Sequence, residues 1–155
     1  MVFISILLTS NANSEEDKAY IIVKSTVIDE GKRQPTWICL SRKHRCVHVA
    51  ANKSIISIEP GVYFLSHIDF REISLSDNGT VYLQEPIKLR LNSGNIYFIG
   101  HIKLSNKSVR GYKIELEQNV NLILEACMDE PDIFEMYTLA NINDSTKIKF
   151  SCNES

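Results

Sequence analysis

Two histidines and one carboxylate are the strongest candidates for chemistry in this sequence. His67 and Asp69 stand two positions apart, and His101 stands in a similar local context later in the chain. Imidazole and carboxylate groups bind metal ions and transfer protons, so neighbouring segments carrying these side chains could form a metal-dependent or acid/base hydrolase. Strand register cannot be read from the sequence. Histidines on the surface of a β-domain are the simpler interpretation.

A second candidate is the basic cluster Arg42, Lys43, His44 and Arg45, which lies between two apolar segments. This pattern predicts the tip of a β-hairpin. Such a tip could bind an anionic partner, for example phosphate, a lipid headgroup or an acidic protein. A solvated hairpin end is the alternative without function.

The four cysteines, Cys39, Cys46, Cys127 and Cys152, form an even set. Their spacings match no zinc motif, in which paired cysteines are usually about two to four residues apart. We therefore expect no metal and no cofactor. Two disulfides in an oxidising compartment are favoured over four buried free thiols.

The first pairing follows from the hairpin. If its centre lies within Arg42-Lys43, Cys39 stands directly opposite Cys46, and Trp37 opposite His48. A four-residue loop would also make the cysteines the closer, non-hydrogen-bonded type of pair, as a disulfide requires. The sequence thus predicts a disulfide between Cys39 and Cys46.

The second pairing rests on elimination and position. Cys127 shares the apolar side of a helical pattern with Val120 and Ile123, and Cys152 ends a segment with little else to hold it. We therefore predict a disulfide that joins Cys127 to Cys152.

The N-terminus has a composition of its own. An apolar run ends at Leu8, small residues follow up to Ala12, and charged residues begin at Glu15. This is typical of the late part of a secretory signal, so residues 1–12 are predicted to be a signal peptide that lacks a basic start. The run is too short for a bilayer, which needs about twenty apolar residues. A buried N-terminal strand of a cytosolic domain is the alternative.

The rest of the chain, residues 18–152, has the length and hydrophobic content of one globular domain. The formal net charge is -2. Since no basic field is present to hold a phosphate backbone, nucleic acid is not an expected partner.

The candidate residues lie on two long β-strands. The first follows the turn at Pro60-Gly61, and the second spans residues 94–104. Period-two alternation predicts that one face of each strand is apolar and packed and that the other carries the histidines. The predicted packed residues are Val62, Phe64, Ser66, Ile68 and Phe70, and Ile96, Phe98, Gly100, Ile102 and Leu104.

Several further short strands surround these two, and helical spacing begins after Asn119. We therefore predict a mainly β protein, an antiparallel β-sandwich with a C-terminal helical segment.

The two strands also carry a resemblance. The motifs Pro60-Gly-Val-Tyr63 and Gly94-Asn-Ile-Tyr-Phe-Ile-Gly100, with the helix from Asn119 to Phe134, resemble those of small bacterial envelope proteins, many of them lipoproteins, of unassigned function. The same strand start is similar to that of carboxypeptidase-regulatory-like and transthyretin-like domains. The resemblance implies an Ig-like or prealbumin-like sandwich with no catalytic residues to carry over. The chain departs from the group because no lipid-anchor cysteine follows its apolar N-terminus.

The sequence contains no phosphate-binding glycine loop, no His-Glu-x-x-His and no Gly-x-Ser-x-Gly. The expected function is a non-enzymatic periplasmic or secreted module that binds a protein or a cell-envelope component, without a transmembrane span. The alternative is the hydrolase built on His67, Asp69 and His101.

Overall fold

The computed structural model describes residues 17–29, 32–34, 36–43, 45–50, 53–71, 78–107 and 111–152. The predicted signal peptide, residues 1–12, lies outside the described residues. The described residues form ten strands and two helices: β1 Ala19–Asp29, β2 Lys32–Gln34, β3 Thr36–Arg42, β4 Arg45–Ala50, β5 Ile56–Ile58, β6 Gly61–Arg71, β7 Asn78–Leu91, β8 Asn95–Lys107, β9 Gly111–Glu117, α1 Asn121–Asp129, α2 Pro131–Met136 and β10 Thr138–Ala140.

The protein is mainly β, as predicted, with two sheets and a C-terminal helical segment. The six-stranded sheet has β1 and β8 at its centre, and these two strands run parallel. β2 and β5 pair with β1, and β9 and β10 pair with β8. Because β10 is also parallel to β8, this sheet is mixed, whereas the sequence predicted antiparallel pairing throughout.

The four-stranded sheet is antiparallel, in the order β4-β3-β6-β7. β7 lies at its edge, where a proline is tolerated because its missing N–H breaks no ladder bond. The register between β6 and β7 shifts after Leu65, so that Leu65 pairs with Ile87 and His67 with Tyr82. The residues of β7 between those partners, which include Pro86, form an irregular stretch of the strand.

The main hydrophobic core combines side chains of both sheets. Ile21 and Val23 of β1 are buried in the same cluster as Ile38 of β3 and Leu65 of β6. A second cluster lies on the other side of the six-stranded sheet, where Ile22 packs with helix α1 and with Tyr137, Leu139 and their neighbours. β1 is therefore covered on both faces, which explains why its apolar residues do not alternate.

In both long strands an irregularity changes which alternate side chains face the core. The predicted strict alternation along β6 and β8 is therefore wrong. In β6, Tyr63 and Leu65 are buried before the shift and Ile68 is buried after it, while Phe64 is 42% exposed. A β-bulge adds one residue to one strand, so every later side chain moves to the opposite face. His67 and Asp69 thus lie on the face away from the core, on the same side as Phe64.

β8 contains the corresponding irregularity. Tyr97 and Ile99 are buried in the main core before it, and Ile102 and Leu104 after it. Gly100 has φ +120, and a Cβ there would lie 3.0 Å from the carbonyl oxygen of Glu117. This backbone approach requires glycine at the bulge.

The C-terminal helical segment begins with α1 at Asn121, close to the predicted start after Asn119. The Asn119 side chain accepts a hydrogen bond from the Asn121 N–H at 3.1 Å, and Pro131 occupies the first turn of α2. α1 buries Leu122, Ile123, Ala126 and Cys127, while Val120 is 59% exposed and does not share that face. Within the described ranges, no helix is long and apolar enough to cross a membrane.

Candidate functional site

The hairpin of β3 and β4 places the first candidate residues, and its register differs from the predicted one. Arg42 pairs with Arg45, so only two residues separate the paired positions of the two strands. Lys43 has φ +48, as a tight hairpin turn whose twist matches its strands requires. The predicted four-residue loop is therefore wrong, and every cross-strand partner moves by two residues.

In this register Cys39 lies opposite His48, and Cys46 lies opposite Ser41. Trp37 pairs with Ala50 rather than with His48. The two cysteines are diagonal neighbours whose Cα atoms are 5.3 Å apart, within the range that a disulfide spans. Cys39 and Cys46 are thus bonded as predicted, although they are not directly opposite each other.

The second predicted disulfide is also present. Cys127 of α1 and Cys152 of the tail have Cα atoms 5.7 Å apart. Cys127 is buried in the structure, and an isolated bridge between Ala140 and Lys147 carries the chain back toward β10 before Cys152. This disulfide fastens the C-terminal tail to helix α1.

We call the face of the four-stranded sheet away from the core the outer face. Two histidines, a cysteine and a tyrosine form one row across it. His48, Cys39, His67 and Tyr82 are consecutive cross-strand partners on β4, β3, β6 and β7. Cross-strand partners lie on the same face of a sheet, with β-carbons about 4.5–5.5 Å apart. Residues far apart in sequence therefore become immediate neighbours.

Asp69 lies in the next row, between the two histidines. Its Oδ2 is 3.5 Å from His48 Nδ1 and 3.7 Å from His67 Nε2, and Thr80 donates a hydrogen bond to its Oδ1 at 2.8 Å. The Ser66 hydroxyl lies 3.0 Å from His67 Nδ1. These contacts hold the His67 ring on both sides.

The sulfur atoms complete this cluster. Sγ of Cys39, Sγ of Cys46 and a ring nitrogen of His67 all lie within 4.8 Å of one another. His48 Nδ1 is 3.8 Å from Cys46 Sγ. The set has the donors of a metal site, but in the oxidised protein both sulfurs are bonded to each other. Sequence reasoning missed this cluster because the cysteine spacing carries no metal motif and only the register brings His67 to Cys39.

His101 does not belong to the cluster. It lies on β8 in the six-stranded sheet, where its Nε2 is 3.0 Å from the Thr26 hydroxyl and its Nδ1 is 3.7 Å from Glu117. Lys103 donates a hydrogen bond to the Glu117 carboxylate at 2.6 Å, and this contact lowers the pKa of Glu117 below its ordinary value of 4.5. The structure thus brings His67 and Asp69 together but not His101, so the predicted hydrolase arrangement is not assembled.

Three exposed aromatic side chains surround the cluster on the outer face. Trp37 is 43% exposed, Phe64 42% and Tyr82 70%. The His67 and Tyr82 rings are in contact, with centroids 5.1 Å apart. An open sheet face with aromatic side chains standing on it is a surface that a protein partner can cover.

Basic side chains collect at one end of this face. Lys88 pairs with Phe64 and Arg90 with Val62, next to the hairpin tip that carries Lys43. Arg45 pairs with Arg42 and therefore lies on the opposite face of the sheet. In the described part of the chain, none of Lys43, Lys88 and Arg90 forms an ion pair. Their charge is therefore available to an anionic partner.

The other two residues of the predicted basic tip differ. The Arg42 side chain is engaged by other residues of the protein. It donates hydrogen bonds to Glu59 at 3.4 Å and to the Tyr63 hydroxyl at 3.2 Å, and its guanidinium is 5.4 Å from the Tyr63 ring centroid. His44 lies outside the described residues.

The concave regions of the described part of the molecule include one beside the outer face and one near α1. An open depression of about 500 Å³ adjoins its basic end and is lined by Val62, Arg90 and the turn residues Pro60, Gly61, Leu91, Asn92 and Ser93. A smaller cavity of about 80 Å³ lies near α1, beside the Lys24–Glu125 ion pair. The second is far below the roughly 300–1,000 Å³ of a typical small-molecule site. Neither region includes His67 or Asp69.

No protein-family model matches the chain, and neither curated proteins nor solved structures show a significant match to it.

Proposed function

We propose that this protein is a non-enzymatic exported module that binds an acidic segment of another protein through the outer face of its four-stranded sheet. The observation that carries the proposal is the set of exposed aromatic side chains, Trp37, Phe64 and Tyr82, beside the exposed cations of the same face. Aromatic residues and arginine are enriched in protein interfaces and supply most hot spots.

Charge determines the class of partner. Lys43, Lys88 and Arg90 are exposed at one end of the face, so an acidic segment lying across Phe64 and Val62 would meet them. Complementary charge of this kind raises association rates and selects among partners. The depression beside Arg90 offers a place for a side chain of the partner.

Export is part of the same proposal. Two disulfides support an oxidising location, periplasmic or secreted, because such bonds persist where thiols are not kept reduced. We also propose that the two sheets form an Ig-like or prealbumin-like sandwich related to bacterial envelope proteins. The core cluster shared by both sheets supports this, whereas the parallel pairs of the larger sheet depart from it.

Site-directed photo-crosslinking tests the binding face. A photoreactive amino acid replaces Tyr82 in the full chain, and the matched control carries it at Met128, which is 74% exposed on α1. Incubation with extract from the native compartment should crosslink a protein from position 82 but not from position 128. Lys88→Glu/Arg90→Glu should weaken capture and reduce its dependence on salt.

Equal capture from both positions, or none from position 82, would contradict the proposal. Crosslinking to a polysaccharide or a lipid from position 82 would show that the face binds a different class of molecule. A captured protein whose crosslinked peptide is rich in lysine and arginine would overturn the assignment of an acidic segment.

A further inference from the structure

We propose that reduction of the Cys39–Cys46 disulfide converts the centre of the outer face into a zinc site. The ligands are Sγ of Cys39, Sγ of Cys46, a ring nitrogen of His67 and a ring nitrogen of His48. The proposal is independent of protein binding by the same face.

Three of the four donors are already in place. The two sulfurs and the His67 nitrogen lie within 4.8 Å of one another. Donor atoms about 2.0–2.3 Å from one zinc ion at tetrahedral angles are separated by roughly 3.3–3.8 Å, so small side-chain movements suffice. Cys46, Cys39 and His67 lie on the neighbouring strands β4, β3 and β6. The pairing of these strands fixes the distances between the three residues.

His48 supplies the fourth ligand. Its Nδ1 is 3.8 Å from Cys46 Sγ, and its side chain is 54% exposed, so the ring can turn toward the sulfurs without disturbing the core. Two thiolates and two imidazoles form a set typical of tetrahedral zinc. Asp69, which lies within 3.7 Å of both rings, can then orient them, as carboxylates do beside metal-bound histidines.

The chemical change is balanced. A dithiol reductant transfers two electrons and two protons to the disulfide, giving the Cys39 and Cys46 thiols, and itself becomes a disulfide. Zn²⁺ then binds both sulfurs as thiolates, and the two thiol protons leave to solvent. In the oxidised protein the sulfur–sulfur bond leaves no thiolate, so the oxidation state of this pair decides whether metal binds.

Cobalt substitution provides the test, because Co²⁺ bound to thiolates in tetrahedral geometry has visible d–d and near-ultraviolet charge-transfer absorption. The full chain is titrated with Co²⁺ and then with Zn²⁺, once oxidised and once after treatment with a phosphine reductant. We expect one Co²⁺ per reduced chain, displacement by Zn²⁺ and no binding to the oxidised chain. His67→Ala should weaken binding by at least about 10-fold, since even loss of an outer partner costs 10–100-fold.

Two variants assign the site. His101→Gln removes a histidine of the other sheet and should bind like wild type. Cys127→Ser/Cys152→Ser removes the other pair of sulfurs and should also retain binding. Because that variant loses a structural disulfide, alkylation of the wild-type chain gives an independent assignment. Zn²⁺ should protect Cys39 and Cys46 from iodoacetamide and leave the extent of alkylation of Cys127 and Cys152 unchanged, as read by peptide mapping.

The proposal is overturned if the reduced chain binds no Co²⁺. It is equally overturned if His67→Ala binds as tightly as wild type, or if Zn²⁺ protects Cys127 and Cys152 instead.

Discussion

Replacing Phe64 and Leu65 separately with alanine tests which side of the four-stranded sheet each half of β6 faces. Leu65 is 1% exposed in the main core, and Phe64 is 42% exposed on the outer face. Truncating a fully buried leucine removes its transfer free energy and leaves a cavity, which together cost about 2–5 kcal/mol. For Phe64 little more than half of the side chain is covered, and no cavity forms on an open face. The cost there should be about 1–1.5 kcal/mol.

The assay is urea unfolding of the oxidised protein, followed by far-ultraviolet circular dichroism. The free energies of unfolding are compared between variants whose free energy depends on urea concentration with the same slope, the m-value. Leu65→Ala should be destabilised more than Phe64→Ala by at least about 0.5 kcal/mol. Strict alternation along β6, as the sequence pattern suggests, would reverse the order and give Phe64→Ala a loss of about 3–5 kcal/mol. A larger loss for Phe64→Ala would therefore refute the assigned facing of the strand.

Three further predictions concern other parts of the molecule. Cys127→Ser/Cys152→Ser should lower the free energy of unfolding by roughly 3–4 kcal/mol in urea titrations, because its closed loop spans a sequence separation of 25; no loss would show that the tail is held by other contacts. Tyr63→Phe should cost about 1–2 kcal/mol in the same assay, since the hydroxyl donates to the Glu59 carbonyl at 2.7 Å and accepts from a guanidinium; an unchanged midpoint would mean that neither bond matters. Lys103→Met should raise the pKa of Glu117 toward 4.5 in a carboxyl NMR titration. Because the folded-state pKa of Glu117 is lowered, any stabilisation by this pair is present above pH 4.5 and is lost as the pH falls through that lowered value.

The sequence predicted which segments form strands and helices better than it predicted which side chains of each strand face the core. Strand composition, turn residues and the helical spacing after Asn119 are local signals, and they led to a mainly β protein with a C-terminal helical segment. The irregularity after Leu65 has no such signal, because neither glycine nor proline stands beside it at Ser66 or His67. Gly100 was a usable signal that pattern counting overlooked, since an isolated glycine within a strand often marks a bulge.

The hairpin register was missed for a similar reason. A two-residue turn of this kind usually shows glycine or asparagine where the backbone needs positive φ, and here Lys43 takes that position. The disulfide between Cys39 and Cys46 was still predicted correctly, because diagonal neighbours across a hairpin are also close enough to bond.

The candidate site depended on long-range pairing, which the sequence does not encode locally. His67 and Asp69 were identified from their position on a polar strand face. That Cys39 and His48 would join them, and that His101 would not, followed only from which strands became neighbours. The parallel pairing of β1 with β8 is what assigns His101 to the other sheet.

The most direct test of the outer face as a binding surface is calorimetric titration of the partner identified by crosslinking. Wild type is compared with Trp37→Ala/Phe64→Ala and with the control Met128→Ala/Met136→Ala, whose methionines are 74% and 62% exposed on the helices. A single interface hot spot contributes about 2 kcal/mol or more, equivalent to roughly 30-fold in affinity. Loss of both aromatic side chains should therefore raise Kd at least about 30-fold, while the methionine control binds like wild type. An unchanged Kd in a folded aromatic variant, or equal weakening in the control, would contradict the assignment.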